Sequence, residues 1–173
     1  VRSANLLILL CVSLFFSACG QSTAAFLAKG EESLKKRKFH DALMQFRSAA
    51  ESDSNSASAH WGLARAHENL GQFSETLDEL RKTIELDKTN LDAKAKLGNY
   101  FLVLRPPMIA ETEKLRDEIL AIDPMFIEGH ILSASILAAQ GKPETEVVDS
   151  LNNTIALNPK RVESYISLAR FYM

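Results

Sequence analysis

The feature that most constrains this chain is a helical pattern that returns about every 34 residues and stops each time at an acidic or amide residue. The stops stand at Asp53-Ser54, Asp87-Lys88, Asp123-Pro124 and Asn158-Pro159, which spaces them by 34, 36 and 35 residues. A fixed period of that length marks stacked helical hairpins, because a single hairpin cannot bury its apolar face alone. The alternative is a plain antiparallel bundle with evenly spaced loops. It would have to produce four aligned stops with matching internal spacings by accident.

Those internal spacings follow from packing. Helices stacked side by side need small side chains where backbones approach and large ones where gaps must be filled. The second repeat reads His60-x2-Leu63-Ala64-x2-His67, turns at Gly71-Gln72-Phe73, and lines its second helix with Leu77, Leu80, Thr83, Ile84 and Leu86. Gly71 suits a helix C-terminus and Phe73 the start of the next helix. The third repeat opens with Lys94-x2-Leu97-Gly98-x2-Phe101 and the fourth with His130-x2-Ser133-Ala134-x2-Leu137. A fifth begins with Tyr165-x2-Leu168-Ala169-x2-Tyr172. In the first repeat Phe39, Ala42, Phe46 and Ala49 carry the second helix, and Phe26-x2-Lys29-Gly30-x2-Ser33 is a more degenerate first helix.

This arrangement resembles the tetratricopeptide repeat (TPR), whose signature is aromatic-x2-Leu-Gly-x2-Tyr followed by alternating small and aromatic residues and a final Pro. The resemblance covers 24–173. It implies an all-α, right-handed superhelical solenoid of antiparallel helix pairs, with about four repeats and the first helix of a fifth. Departures gather in two hairpins, where Pro106-Pro107 lengthens one turn and Glu144, Thr145 and Glu146 replace the small residues that usually open a second helix. The third and fourth hairpins are expected to be the least regular. Met173 falls within the fifth repeat's first helix, so the sequence reads as the N-terminal part of a longer protein whose Leu168, Phe171 and Tyr172 need a covering helix. Val1 in place of Met is consistent with a literal translation of an alternative start codon.

At the N-terminus Arg2 precedes an 11-residue apolar run, Leu6 to Phe16, and then Ser17-Ala18-Cys19-Gly20. A bilayer-spanning helix needs about 20 residues, so residues 1–18 read as a secretory leader and not as a permanent transmembrane anchor. Phe16-Ser17-Ala18-Cys19 resembles the bacterial lipobox, with Phe16 where Leu is usual. The resemblance implies that the sulfur of Cys19 takes a diacylglycerol and that residues 19–23 form a lipidated tether. The other reading is an ordinary secretory signal. The two cysteines, Cys11 and Cys19, both lie in this region, which leaves the mature chain without a disulfide. Gly20 follows in place of the Asp that holds many lipoproteins at the inner membrane, so the outer membrane facing the periplasm is the expected location. The diacylglycerol and an amide-linked acyl chain on the new N-terminus would together supply three chains, more than the two signals that stable anchoring takes.

Composition narrows the partners. At 46 % apolar with a formal charge of −2, and one unit more acidic once Arg2 leaves with the leader, the chain reads as one elongated domain without a basic stripe. That excludes an ordinary nucleic-acid binder. Its one basic run, Lys35-Lys36-Arg37-Lys38, is expected at the turn between the first two helices. It reads either as a solvated turn or, close behind the lipid, as a contact for anionic head groups.

Chemistry-bearing constellations do not emerge: there is no phosphate-cradling glycine loop, no metal-spaced Cys/His set and no nucleophile motif. His60 and His67, seven apart on one helical face, occupy positions the repeat gives to packing aromatics. The acid pairs Glu31-Glu32 and Glu111/Glu113 read as solvated faces. No cofactor, metal or small-molecule substrate is expected, and the chain is not read as an enzyme.

What the TPR resemblance implies for function is a concave groove lined by the first helix of each hairpin, in which a partner's helix or extended segment docks. The groove-facing positions hold Leu27 and Glu31, Trp61 and Arg65, Ala95 and Asn99, Ile131 and Ser135, and Ile166 and Arg170. Trp61, the single Trp, beside Arg65 is the expected anchor; its alternative role is packing between repeats. TPR clamps for a C-terminal carboxylate use a Lys and Asn set, which Leu27 and Glu31 do not supply. The expectation is a membrane-anchored scaffold for protein partners, similar to TPR lipoproteins of exopolysaccharide and PEP-CTERM sorting systems. Pilotin-like or cell-wall-hydrolase adaptors are the alternative, and the regulatory part of a larger enzyme a further one.

Overall fold

The stops seen in the sequence are local hydrogen-bonding devices. The side chains of Asp53, Asp123 and Asn158 each accept from the backbone N–H two residues on, at 3.0, 2.9 and 3.3 Å. Each residue's carbonyl then accepts from the N–H of Ser56, Phe126 or Arg161 respectively. This Asx-turn geometry offers the chain an alternative to helix at the place where one hairpin must give way to the next. The following helix is capped where the sequence allows it: Ser56 accepts from Ala59 N and Asn90 from Ala93 N.

A computed structural model describes residues 23–173, and among them the regular structure is α-helical. The helices are α1 (23–35), α2 (Phe39–Ser52), α3 (Ala57–Asn69), α4 (Phe73–Leu86), α5 (Leu91–Val103), α6 (Ile109–Ile122), α7 (Ile127–Ala139), α8 (Glu144–Leu157) and α9 (Val162–Phe171). They form two compact units, the first ending at Asp87 and the second spanning Lys88–Met173. The leader, Cys11 and Cys19 lie outside the described residues. Thr23, expected at the end of the tether, is already helical.

In the first unit, α1 pairs with α2 and α3 with α4, and the core is built around Phe46. Its ring is fully buried against Ala42, Leu63 and Ala66, with Leu27 and Leu34 packed alongside. It occupies the space that side chains on two neighbouring helices would need. A Cβ added at Gly62 would lie 2.2 Å from the ring, and one added at Gly30 2.6 Å. Gly30, the small residue of the first repeat's signature, and Gly62, which the signature leaves unspecified, are therefore the floor of the Phe46 socket.

In the second unit, α5 pairs with α6, α7 with α8, and α9 lies against α8 and α7. Leu132 and Ile136 of α7 pack with Ala95 and Ile119, and Ala134 of the same helix packs with Val147 and Leu151. Leu168 and Phe171, expected to lack cover, pack against that last cluster, while Tyr172 is exposed.

Buried positions on the second helices show where regularity fails. They are Ala42, Phe46 and Ala49 in α2, Thr76, Leu77, Leu80 and Thr83 in α4, and Val147, Leu151 and Thr154 in α8. In α6 they are Thr112, Leu115 and Ile119, so the middle residue moves one place earlier, behind the turn lengthened by Pro106-Pro107. The fourth hairpin, expected to be irregular too, keeps the common spacing. Glu144, Thr145 and Glu146 form an exposed first turn, and Val147 takes the small-residue place.

Candidate functional site

The first helices of the first unit's two hairpins, α1 and α3, bring three of the sequence-predicted residues together. Arg65 donates from Nη1 to Glu31 Oε1 at 2.6 Å, and its guanidinium carbon stands 5.8 Å from the centre of the Trp61 ring. Trp61 and Arg65 are four residues apart, so one α3 face carries both. Trp61 is half-buried: part of its ring is held by the fold and part is available. Leu27, predicted for the same surface, is packed instead against the Phe46 cluster.

The result is a surface with an aromatic face, a fixed guanidinium and a carboxylate within reach of one bound segment. A cation over an aromatic ring contributes about 0.5–1 kcal/mol when exposed. Ordering Arg65 between ring and carboxylate before a partner arrives lowers the entropy lost on binding.

The second unit receives the other six predicted residues and brings them together less well. Asn99 is exposed on α5, but Ala95 is 3 % exposed and packs with Ile119, Leu132 and Ile136. Its methyl group belongs to the core and offers no groove surface, a correction to the sequence reading. Ile131 is half-buried, and the hydroxyl of Ser135 donates to the Ile131 carbonyl at 3.0 Å, back onto its own helix. Ile166 and Arg170 are exposed on α9.

Three ionic contacts, made by two basic residues, were not anticipated. Lys94, read as a packing residue, is 3 % exposed and donates to Glu118 of α6 at 2.5 Å. Arg161 reaches Glu128 at 2.5 Å and its own neighbour Glu163 at 3.0 Å. The two histidines read as packing residues, His60 and His67, have structural partners. Nδ1 of His60 lies 2.6 Å from Glu79 Oε2 and its Nε2 3.2 Å from the Ser54 carbonyl, and Nδ1 of His67 lies 2.6 Å from Gln72 Oε1. His130 and Tyr165, at the place of His60 in later repeats, likewise reach the carbonyls of Pro124 and Pro159, six residues earlier. That shared contact ties the signature residue to the preceding turn. No group of three or more potential metal ligands occurs among the described residues, and none of the described helices is long and apolar enough to cross a membrane.

No family model and no curated protein matches the chain by sequence. Its likeness to solved structures is one of fold. A thermophilic TPR protein of Thermus thermophilus superposes with a TM-score of 0.72 at 18 % identity, over 87 % of this chain and 81 % of that one. YrrB, a TPR protein with an unusual peptide-binding site, gives 0.68 at 16 % identity over 86 % and 75 %. The first TPR of Spaghetti (RPAP3), bound to the HSP90 peptide SRMEEVD, gives 0.64 at 18 % identity over 70 % and 95 %. Helical hairpins repeating every 34 to 36 residues, small residues beneath Phe46 and these superpositions together give the chain the fold of the tetratricopeptide-repeat proteins.

Proposed function

We propose that this protein is a scaffold that holds a protein partner on the first-helix surface of its repeats, anchored to a bacterial envelope membrane through lipidated Cys19. The observation that carries the reading is the Trp61–Arg65–Glu31 arrangement: a half-buried aromatic with its cation fixed in place is the kind of anchor that dominates interface energetics. Two proteins of the same fold, YrrB and the RPAP3 repeat, are described with a peptide site or a bound peptide. The mechanism is positioning of a partner, not chemistry.

The partner segment has a definable character. Glu31 puts a carboxylate beside Arg65, which disfavours a chain-terminal carboxylate at this spot and favours an internal segment with an apolar side chain for Trp61 and a polar or basic neighbour for Glu31. Anchoring rests on Phe16-Ser17-Ala18-Cys19, and placement at the outer membrane facing the periplasm on Gly20. An assembly role in secretion or polysaccharide export is the extension of this reading.

In-cell photo-crosslinking from position 61, with mass spectrometry of the membrane fraction and Cys19→Ser as anchoring control, tests it. Capture of one envelope protein that weakens in Cys19→Ser is the expected result. A membrane-bound protein that captures nothing would show Trp61 to be a packing residue and sink the proposal.

A further inference from the structure

In the second unit, α9 carries apolar side chains on two opposite faces. Ser164 is fully buried, and Leu168 and Phe171 pack inward against Ala134, Val147 and Leu151. Val162, Ile166 and Ala169, with Met173 one turn further on, form a stripe on the far side, where Val162 is 62 % and Ile166 44 % exposed. That stripe has the i, i+4, i+7, i+11 spacing of a coiled-coil seam.

The flanks of the stripe say what covers it. Glu163 and Arg170 stand on one side, and the exposed rings of Tyr165 and Tyr172 on the other. Arg170 has no ion-pair partner among the described residues, and Glu163 accepts from Arg161 Nε at Oε2 alone, at 3.0 Å. Tyr165 is held in place by its hydroxyl, which donates to the Pro159 carbonyl at 3.1 Å. Two such helices packed antiparallel about a two-fold axis bring like flanks together. With Ile166 opposite Ala169 of the second copy, Val162 falls opposite Met173, while Glu163 lies about 3 Å along the axis from Arg170 of the second copy, and Tyr165 the same distance from Tyr172. A parallel pair would set both charges against tyrosines and leave them unmatched.

We propose that α9 is a dimerisation helix, whose exposed stripe packs antiparallel on α9 of a second copy of this chain. Glu163–Arg170 pairs close one flank and Tyr165–Tyr172 contacts the other, each formed twice. The same patch serves on both copies, so the contact is isologous and stops at two. Ile166 and Arg170, groove residues in the sequence reading, here join copies, and the Trp61 surface takes no part. A helix pair of this length buries less than the roughly 1,200 Å² of a standard interface, so a dissociation constant of about 10–100 μM is expected.

Sedimentation velocity on the whole chain, in its Cys19→Ser form with Cys11 kept reduced, tests this. Ile166→Asp is expected to weaken the dimer at least about tenfold. Glu163→Arg and Arg170→Glu, each of which faces like charges across the flank, are expected to do the same. Mixed one to one, these two variants set opposite charges together again at both pairs, and the dimer is expected to return to within about threefold of the unmutated affinity. All three positions are exposed, and far-UV circular dichroism checks that each variant keeps its helices. A chain that stays monomeric up to about 0.5 mM overturns the proposal, since the stripe is then covered by something other than a second copy. Association that Ile166→Asp leaves unchanged, or folded charge variants that do not recover on mixing, overturns it as well.

Discussion

Glu31 and Arg65 stand 34 residues apart, one repeat period, at equivalent places on α1 and α3, and their side chains meet at 2.6 Å. With the Arg65 side chain 29 % and the Glu31 side chain 42 % exposed, the pair contributes only about 0.2–1 kcal/mol to stability. Its consequence is positional, because it holds the guanidinium above Trp61. Arg65→Gln is therefore expected to lower Tm by less than about 3 °C, while partner capture from position 61 falls several-fold. Calorimetry and crosslinking on the same preparation separate the two effects; a Tm loss beyond about 6 °C would make Arg65 a structural residue.

The Phe46 socket makes an opposite prediction, in which a better helix former destabilises. Gly→Ala within an exposed helix gains about 1 kcal/mol. At Gly62 the new methyl carbon would sit 2.2 Å from a ring that is fully buried. Overpacking of that kind costs about 1–3 kcal/mol. Gly62→Ala is expected to be net destabilising, and Phe46→Leu, harmful alone, to recover part of the loss in the double variant. Urea unfolding of the four proteins in the cycle measures the coupling; strict additivity would mean that ring and glycine do not share the space.

Lys94 and Glu118 form a pair whose two members are not equivalent. The Lys94 side chain is 4 % exposed and that of Glu118 39 %. Removing the acid strands a buried ammonium, whereas replacing the lysine with an apolar chain of similar length leaves a carboxylate that water can reach. Glu118→Gln is expected to cost about 2 kcal/mol, less than the loss for a fully enclosed pair because solvent partly replaces the carboxylate. Lys94→Met is expected to be close to neutral. Denaturant melts that rank the two variants the other way would refute this account.

Glu32 gives the pH dependence a defined sign. The hydrogen bond from Lys36 first, and then the charge of Lys36, hold its carboxyl below the usual carboxylate range. A lowered folded-state pKa contributes stability that is present above the unfolded carboxyl value and lost as pH falls through the folded one. Carboxyl-detected NMR should show the Glu32 midpoint moving upward in Lys36→Gln and by less in Lys38→Gln. An unmoved midpoint in Lys36→Gln would mean that the pair is not populated in solution.

The legible part of this molecule was the part governed by local chemistry. Asp53, Asp123 and Asn158 ended helices because an Asx turn needs only the residues around it. Gly71 marked a turn because its φ of +71° is left-handed. Trp61 and Arg65 could be placed together because four residues make one helical turn. What spacing could not show is how neighbouring helices meet. Nothing near Ala95 in sequence announces Ile119 and Leu132, and nothing near Lys94 announces Glu118. The one-place shift to Leu115 in α6 depends likewise on how the chain returns after Pro106-Pro107.

Arg37 supplies the last prediction. It has φ +56°, while Gly71 and Gly141 hold the hairpin turns of the second and fourth repeats at +71° and +68°. A left-handed conformation costs an L-residue about 1–2 kcal/mol that glycine avoids. Arg37 recovers a fraction through its guanidinium, 5.7 Å from the Phe39 ring, which is worth about 0.5 kcal/mol at an exposed site. Arg37→Gly also loosens the unfolded chain, which subtracts a further part of the gain. The balance is expected to be stabilising by about 0.5 kcal/mol, a rise in Tm of about 1–2 °C. Arg37→Ala, which keeps the strain and loses the ring contact, is expected to be destabilising. A glycine variant that melts at or below the alanine variant would show that the left-handed turn costs Arg37 nothing.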